Sequence, residues 1–183
     1  MDTKVNEYIQ SDYLRYKNDS SKLKIVKEIF QNKAFRYSVI IRLGNSYLAK
    51  EKNSAIFLLK IVKKILFFNS TIEIPFGVII GKGLYMGHFS GITINPKVIL
   101  GNNINIHKGV TIGQENRGIR KGTPVIGNKV WIGVNSTIVG NIKIGNNVLI
   151  SPNSFVNFDI PSNSIVVGNK IIHSKNATDY YIS

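Results

Sequence analysis

The sequence predicts a mainly β protein whose larger part is a parallel β-helix, and three observations carry the prediction. An aliphatic residue or Met recurs at Ile74, Ile80, Met86, Ile92, Leu100, Ile106, Ile112, Ile126, Ile132, Ile138, Ile144, Ile150 and Val156, in steps of six broken by one of eight (92 to 100) and one of fourteen (112 to 126). Seven of these thirteen positions are followed at once by Gly, where average usage near 7% would give about one. A second small or aliphatic residue usually stands four after the first, as at Val78, Leu84, Ser90, Ile104, Val110, Val130, Ser136, Ile142, Val148 and Ser154. A strand and a turn every six residues closes a triangular coil in three steps and stacks each strand about 4.8 Å from the one below. The aliphatic position then points into the prism. Gly and Asn, as in Gly101-Asn102-Asn103 and Gly145-Asn146-Asn147, relieve the corners because both tolerate left-handed backbone. A β-sandwich would instead space its turn signals by about 8 to 12 residues, without a strict hexad.

Residues 1–70 read as a helical subdomain, 71–161 as the β-helix with a loop over 113–125, and 162–183 as a C-terminal tail. In the helical part, Ser20-Ser21 is placed to cap a helix running to about Asn32. A second helix is expected from Ala34 to Lys50, and another begins after Asn53-Ser54. In that last one Ala55, Leu58, Leu59, Val62, Ile65 and Leu66 follow the i, i+3, i+4, i+7 rule, with Lys60, Lys63 and Lys64 largely off the stripe. Such a basic amphipathic helix either meets a membrane surface or docks on the next subdomain or on another subunit.

Lys and Arg number 24 against 10 Asp and Glu, a net charge of +14. Residues 1–70 contribute 14 against 6 and residues 71–183 contribute 10 against 4, so the excess is spread along the chain. A field of this sign favours anionic partners and says nothing about fold. Nucleic acid is not expected, because zinc-finger spacing, an RNA-binding aromatic signature and a dense basic helix are all missing. The 183 residues contain no Cys, which excludes disulfides, thiolate metal sites and a cysteine nucleophile. The start MDTKVNEYIQSDY has no basic and apolar secretory pattern, so a cytoplasmic location is expected. The longest apolar run, Ala55 to Leu59, is far short of the roughly 20 residues that cross a bilayer.

From Thr71 to about Pro161 the hexads, both interruptions and the phrase from Ile72-Glu73-Ile74-Pro75 to Met86-Gly87-His88-Phe89-Ser90-Gly91 resemble the hexapeptide-repeat acyltransferases, in the serine acetyltransferase branch. The resemblance implies a left-handed coil, an exception to the usual right-handed crossover. It also implies acetyl-coenzyme A as co-substrate, a homotrimer, and a catalytic pair made of a carboxylate and a histidine fifteen residues later. Glu73 and His88 match that pair, with Glu in place of the family's Asp. A neutral imidazole suits removal of a proton from a hydroxyl attacking a thioester, and a carboxylate on its other nitrogen would fix the tautomer. A spacing of fifteen is three short of an eighteen-residue coil, so the pair spans neighbouring coils or neighbouring subunits. His107, one coil above, is a candidate contact for donor or acceptor.

By position the resemblance assigns coenzyme A to Thr111, Gly113, Gly133, Val134 and Pro152, with Lys129 for its phosphates. The family's closing Gly-x-Pro-Ala phrase survives only as Gly168-Asn169-Lys170. Carbonic anhydrases of this fold need three zinc-binding histidines, and His88, His107 and His173 lack their close pair, so no metal is expected. Serine acetyltransferases carry Arg-His at the loop's end to hold the amino acid's carboxylate; here Gly122 and Thr123 stand there, and Gly87 replaces an Asp. Arg117, Arg120 and Lys121 are the nearest substitutes. With the short helical part, these departures point to a sugar hydroxyl in bacterial surface-polysaccharide synthesis as acceptor, the alternatives being serine O-acetylation for cysteine synthesis and a non-catalytic trimeric scaffold.

Overall fold

The computed structural model describes residues 3–17 and 21–182; Ser20, half of the expected helix cap, lies outside them. Four helices come first, α1 (Thr3–Tyr16), α2 (Lys22–Gln31), α3 (Lys33–Ala49) and α4 (Asn53–Leu66). Asn32 separates α2 from α3 and caps the latter, its side chain accepting from the Ala34 and Phe35 amides at 3.0 and 3.2 Å, which satisfies two of the amides a helix start leaves open.

Strands then follow in threes. One face of a prism stacks β1 (Ile79–Ile80), β4 (Ile99–Leu100), β7 (Val125–Ile126) and β10 (Lys143–Ile144). The second stacks β2 (Tyr85–Gly87), β5 (Ile104–His107), β8 (Val130–Ile132), β11 (Val148–Ile150), β13 (Ser164–Val167) and β14 (Lys170–His173), and the third β3 (Thr93–Ile94), β6 (Thr111–Gly113), β9 (Thr137–Val139) and β12 (Phe155–Val156). All pairings are parallel except β13 with β14. Stacking therefore runs on past Pro161: β13 adds a strand, β14 turns back on it, and residues 174–182 follow as the tail. The inward aliphatic residues form one continuous core from Ile74 to Val166. This is the left-handed β-helix of the expected class.

The coil phase differs from the expected one. Gly87 pairs with His107, an offset of twenty, whereas Thr93 pairs with Thr111, an offset of eighteen. The two extra residues therefore lie between them, so the eight-residue step runs from Met86 to Ile94. Ser90, expected to point inward, is exposed, and Ile92 takes its place in the core.

Glycine and asparagine divide the corner work differently from expectation. A Cβ on Gly81, Gly101 or Gly127 would lie 2.5, 2.4 or 2.7 Å from the carbonyl oxygen of the glycine one coil above. These glycines permit close approach of backbone; none of the three has positive φ. Beside them an asparagine ladder runs up the corner. The Lys82, Asn102 and Asn128 amides donate to the side chains of Asn102, Asn128 and Asn146 at 2.9, 2.8 and 2.7 Å. Left-handed backbone falls one residue later, at Asn103, Lys129 and Asn147.

The helices close the lower end of the prism, where the first coil has no neighbour below. Asp12, fully buried, accepts from the Gly83 and Leu84 amides at 3.0 and 2.8 Å. It also accepts from Ser38 and, through both oxygens, from Arg42. Arg42 donates to the carbonyls of Ile80 and Gly81. Asn45 bridges the Gly77 amide and the Val78 carbonyl, and the Tyr16 hydroxyl accepts from the Met86 amide. Each contact satisfies a backbone group that a sheet edge would otherwise present unpaired.

Helix α4 does not dock by its expected stripe. Ile56 is buried, Ala55, Leu59 and Val62 are partly covered, and Leu58, Ile65 and Leu66 are exposed. Lys63 turns the helix: its ammonium donates to the Ile74 carbonyl at 2.6 Å and lies over the rings of Tyr37 and Phe76. Among the described residues no helix is long and apolar enough to cross a membrane.

Candidate active site

The two extra residues are spent at the corner between β2 and β3, where His88 stands. With two residues too many for a tight corner, the chain bulges out of the prism, and His88 takes φ +51°, a region that non-glycine residues visit rarely. Its ring is exposed. The bulge is tied back below by Thr71, whose hydroxyl accepts from the Gly91 amide at 2.7 Å, and above by Ser90, whose carbonyl accepts from the Gly109 amide at 2.9 Å.

Glu73 lies elsewhere on the same coil end. It bridges to Thr93 as a parallel partner and heads an outer column on the third face that continues through Thr93, Thr111, Thr137 and Phe155. Its side chain is exposed. No hydrogen bond or ion pair joins it to His88 within one chain among the described residues; burial pushes the Tyr37 hydroxyl up to about 12, the hydrogen bond with the Ile74 backbone opposing the rise and the neighbouring Glu73 carboxylate adding to it.

His107 sits directly above Gly87. A Cβ on Gly87 would lie 2.6 Å from His107 Nδ1, so the missing side chain at 87 is what gives the His107 ring its place. That ring is 6.2 Å from His88 and 4.7 Å from Trp131, centroid to centroid, within a stack that continues to Tyr85 below and from Trp131 to Tyr181 of the tail. Its Nε2 is shut off from solvent without a hydrogen-bond partner among the described residues. Burial, and then the nearby His88, hold the imidazole below its usual range, so the ring is neutral near pH 7.

Above His88 the same corner carries Lys108, then Gly133 and Val134, then Pro152; a Cβ on Gly133 would meet the Pro152 nitrogen at 2.5 Å. Thr111 and Gly113 follow on the adjoining third face. Lys129 does not join them. It lies at the opposite end of β8 from Gly133, about 13 Å away along an extended strand. Lys108, exposed beside His107, stands on this corner directly above His88. The 113–125 loop forms a hairpin closed by Glu115 and Gly122. Arg117 and Arg120 line a cavity of about 340 Å³ with Glu115, Ile119, Val139 and Asn157. Among the described residues no group of three or more His, Asp or Glu is placed to hold a metal ion.

Residues 123–157 match the family of bacterial transferase hexapeptide repeats. Over those residues the coils are similar to the repeats of that family. A serine acetyltransferase of Staphylococcus aureus is 42% identical over 101 residues, 55% of this chain and 47% of that protein. One from Staphylococcus epidermidis is 38% identical over 117 residues, 64% and 55% of the two chains. This hexapeptide-repeat chain thus spans about half the length of the curated relatives it matches. Among solved structures, serine acetyltransferase of Neisseria gonorrhoeae in complex with serine superposes with a TM-score of 0.75 at 28% identity, over 93% of this chain and 69% of that one. The soybean apoenzyme gives 0.75 at 26%, over 93% and 69%. These relatives overturn the expected sugar acceptor and the nearer likeness to polysaccharide acetyltransferases. The exclusion behind that expectation took a carboxylate site to need the two positions now held by Gly122 and Thr123, whereas the same loop carries Arg117 and Arg120 around its own cavity.

Proposed function

We propose that the chain is an acetyl-coenzyme A-dependent O-acetyltransferase whose acceptor is the hydroxyl of L-serine, the reaction that the names of its relatives describe. The observation that carries the reading is His88, an exposed imidazole raised out of the prism by two extra residues beside a corner of small and backbone-rich positions. Its nitrogen takes the proton from the serine hydroxyl as that oxygen attacks the thioester carbonyl. A tetrahedral oxyanion forms, backbone amides of the groove stabilise it, and its collapse breaks the carbon–sulfur bond while the imidazolium returns the proton to the leaving thiolate. Transfer is direct, since no cysteine is present to carry the acetyl group. The Nε2 of His107 is unsuited to the proton, because it is out of reach of solvent.

Glu73 is the carboxylate assigned to orient His88; catalytic hydrogen bonds often tighten only with substrate bound. Gly133, Val134, Pro152, Thr111 and Gly113 form the coenzyme A groove. Arg117 and Arg120 take the serine carboxylate. The assembly is a homotrimer in which the groove lies between chains; the exposed apolar column Ile79, Ile99 and Val125 on the first face supports such a contact.

Thiol release from acetyl-coenzyme A with L-serine tests the reading. It should be fast for the unaltered chain, fall by about 10²- to 10⁴-fold in His88→Ala, and leave coenzyme A affinity nearly unchanged. Arg117→Ala with Arg120→Ala should raise KM for serine and leave serine methyl ester, which lacks the anion, unaffected. Absence of serine-dependent release from the unaltered protein would sink the proposal and favour a scaffold.

A further inference from the structure

Helix α4 has no Asp or Glu, and its outer face is apolar and uncovered. Phe57, Leu58, Ile61 and Ile65 are 67%, 61%, 40% and 70% exposed, and Phe68, just past the helix end, 78%. On a 3.6-residue helix these four helical side chains fall within an arc of about 100°. Lys60 and Lys64, both exposed, run along one edge of the arc, while Lys63 is turned inward to the Ile74 carbonyl. An apolar stripe with cations as its only charged neighbours on a 14-residue helix has the form of a helix that lies in the plane of a bilayer surface.

We propose that α4 is a membrane-surface helix: Phe57, Ile61 and Ile65 enter the boundary between headgroups and acyl chains of an anionic bilayer, and Lys60 and Lys64 meet the lipid phosphates. Charge selects this occupant. A second copy docking antiparallel and face to face would set Lys60 and Lys64 on the same edge as their own equivalents. Elsewhere on its surface such a copy has little to offer, with 10 acidic residues against 24 basic ones and Asp12 and Glu28 buried. An anionic lipid surface supplies the missing charge, and each lysine near it contributes about 1 kcal/mol. The proposal does not depend on the reaction catalysed.

Co-sedimentation of the full chain with phosphatidylcholine vesicles, with and without about one third phosphatidylglycerol, tests it. The expected result is binding to the anionic vesicles alone, weakened about tenfold or more by Phe57→Ser/Ile61→Ser/Ile65→Ser and equally by Lys60→Glu/Lys64→Glu, with unchanged circular dichroism and melting of both variants. Failure of the unaltered chain to sediment with anionic vesicles overturns the proposal. So does binding that charge reversal abolishes and the serine triple leaves intact, which would be adsorption by charge alone. A drop in native mass of the serine triple by light scattering, without vesicles, overturns it in favour of an interface between copies. Loss of binding in Leu23→Ser/Phe30→Ser with the α4 triple unaffected moves the contact to α2 and overturns it as well.

Discussion

Lys63 shows how one side chain sets a pH response. Burial holds its ammonium at about 8, against a usual 10.5. Between those values the unfolded chain binds more protons than the folded one, so stability rises with pH through that window, and the burden of a charged buried lysine is fully present below it. The urea midpoint should therefore climb between about pH 8 and about pH 10.5, and Lys63→Met should flatten that climb. A midpoint that falls over the same range would mean that Lys63 is charged and well solvated in the fold. The same side chain explains why α4 was misread in the sequence. Periodicity places Lys63 off the apolar stripe and so outward, but an ammonium that can reach a carbonyl of the first coil and lie on two aromatic rings gains more by turning in.

At the scale of the element, the hexad is legible because each coil has the same three inward positions, and a missed position leaves a void in the prism. The phase after Met86 is less legible. Ile92 and Ile94 are both buried, so an aliphatic count cannot tell which continues the series; only the pairing of Thr93 with Thr111 decides. His88 is thus readable in sequence as part of a motif, while the place of the two extra residues around it is not. The close-packed glycines give a test of the stacking itself. Gly101→Ala puts a Cβ 2.4 Å from the Gly127 oxygen, and because both partners are backbone neither can rotate away. A loss of about 1–3 kcal/mol is expected in chemical denaturation. At Gly118, where a Cβ meets nothing within 4 Å but φ is +67°, the same substitution should act through backbone strain alone, and on the loop rather than on the coils.

Across the whole molecule, helices and prism meet through Asp12 and Arg42, both buried and joined at 2.9 Å. Removing one partner of a buried pair strands the other, at a cost of about 3–5 kcal/mol. Asp12→Ala should lower the urea midpoint accordingly and also leave the Gly83 and Leu84 amides without acceptors. The sequence concealed this joint entirely, since Asp12 and Arg42 are thirty residues apart and neither belongs to a motif. Their placement at the prism's foot has a consequence for growth of the protein in one dimension. A parallel β-helix is a ladder that any matching rung can extend, and at the upper end β14 stops it by turning antiparallel to β13. At the lower end the stop is made of side chains: a carboxylate, a guanidinium, an amide and a phenol occupy the rung. A chain begun at residue 71 would lose that plug and expose the edge of its first coil. Such a fragment should string into filaments that light scattering detects at concentrations where the full chain scatters as a discrete particle.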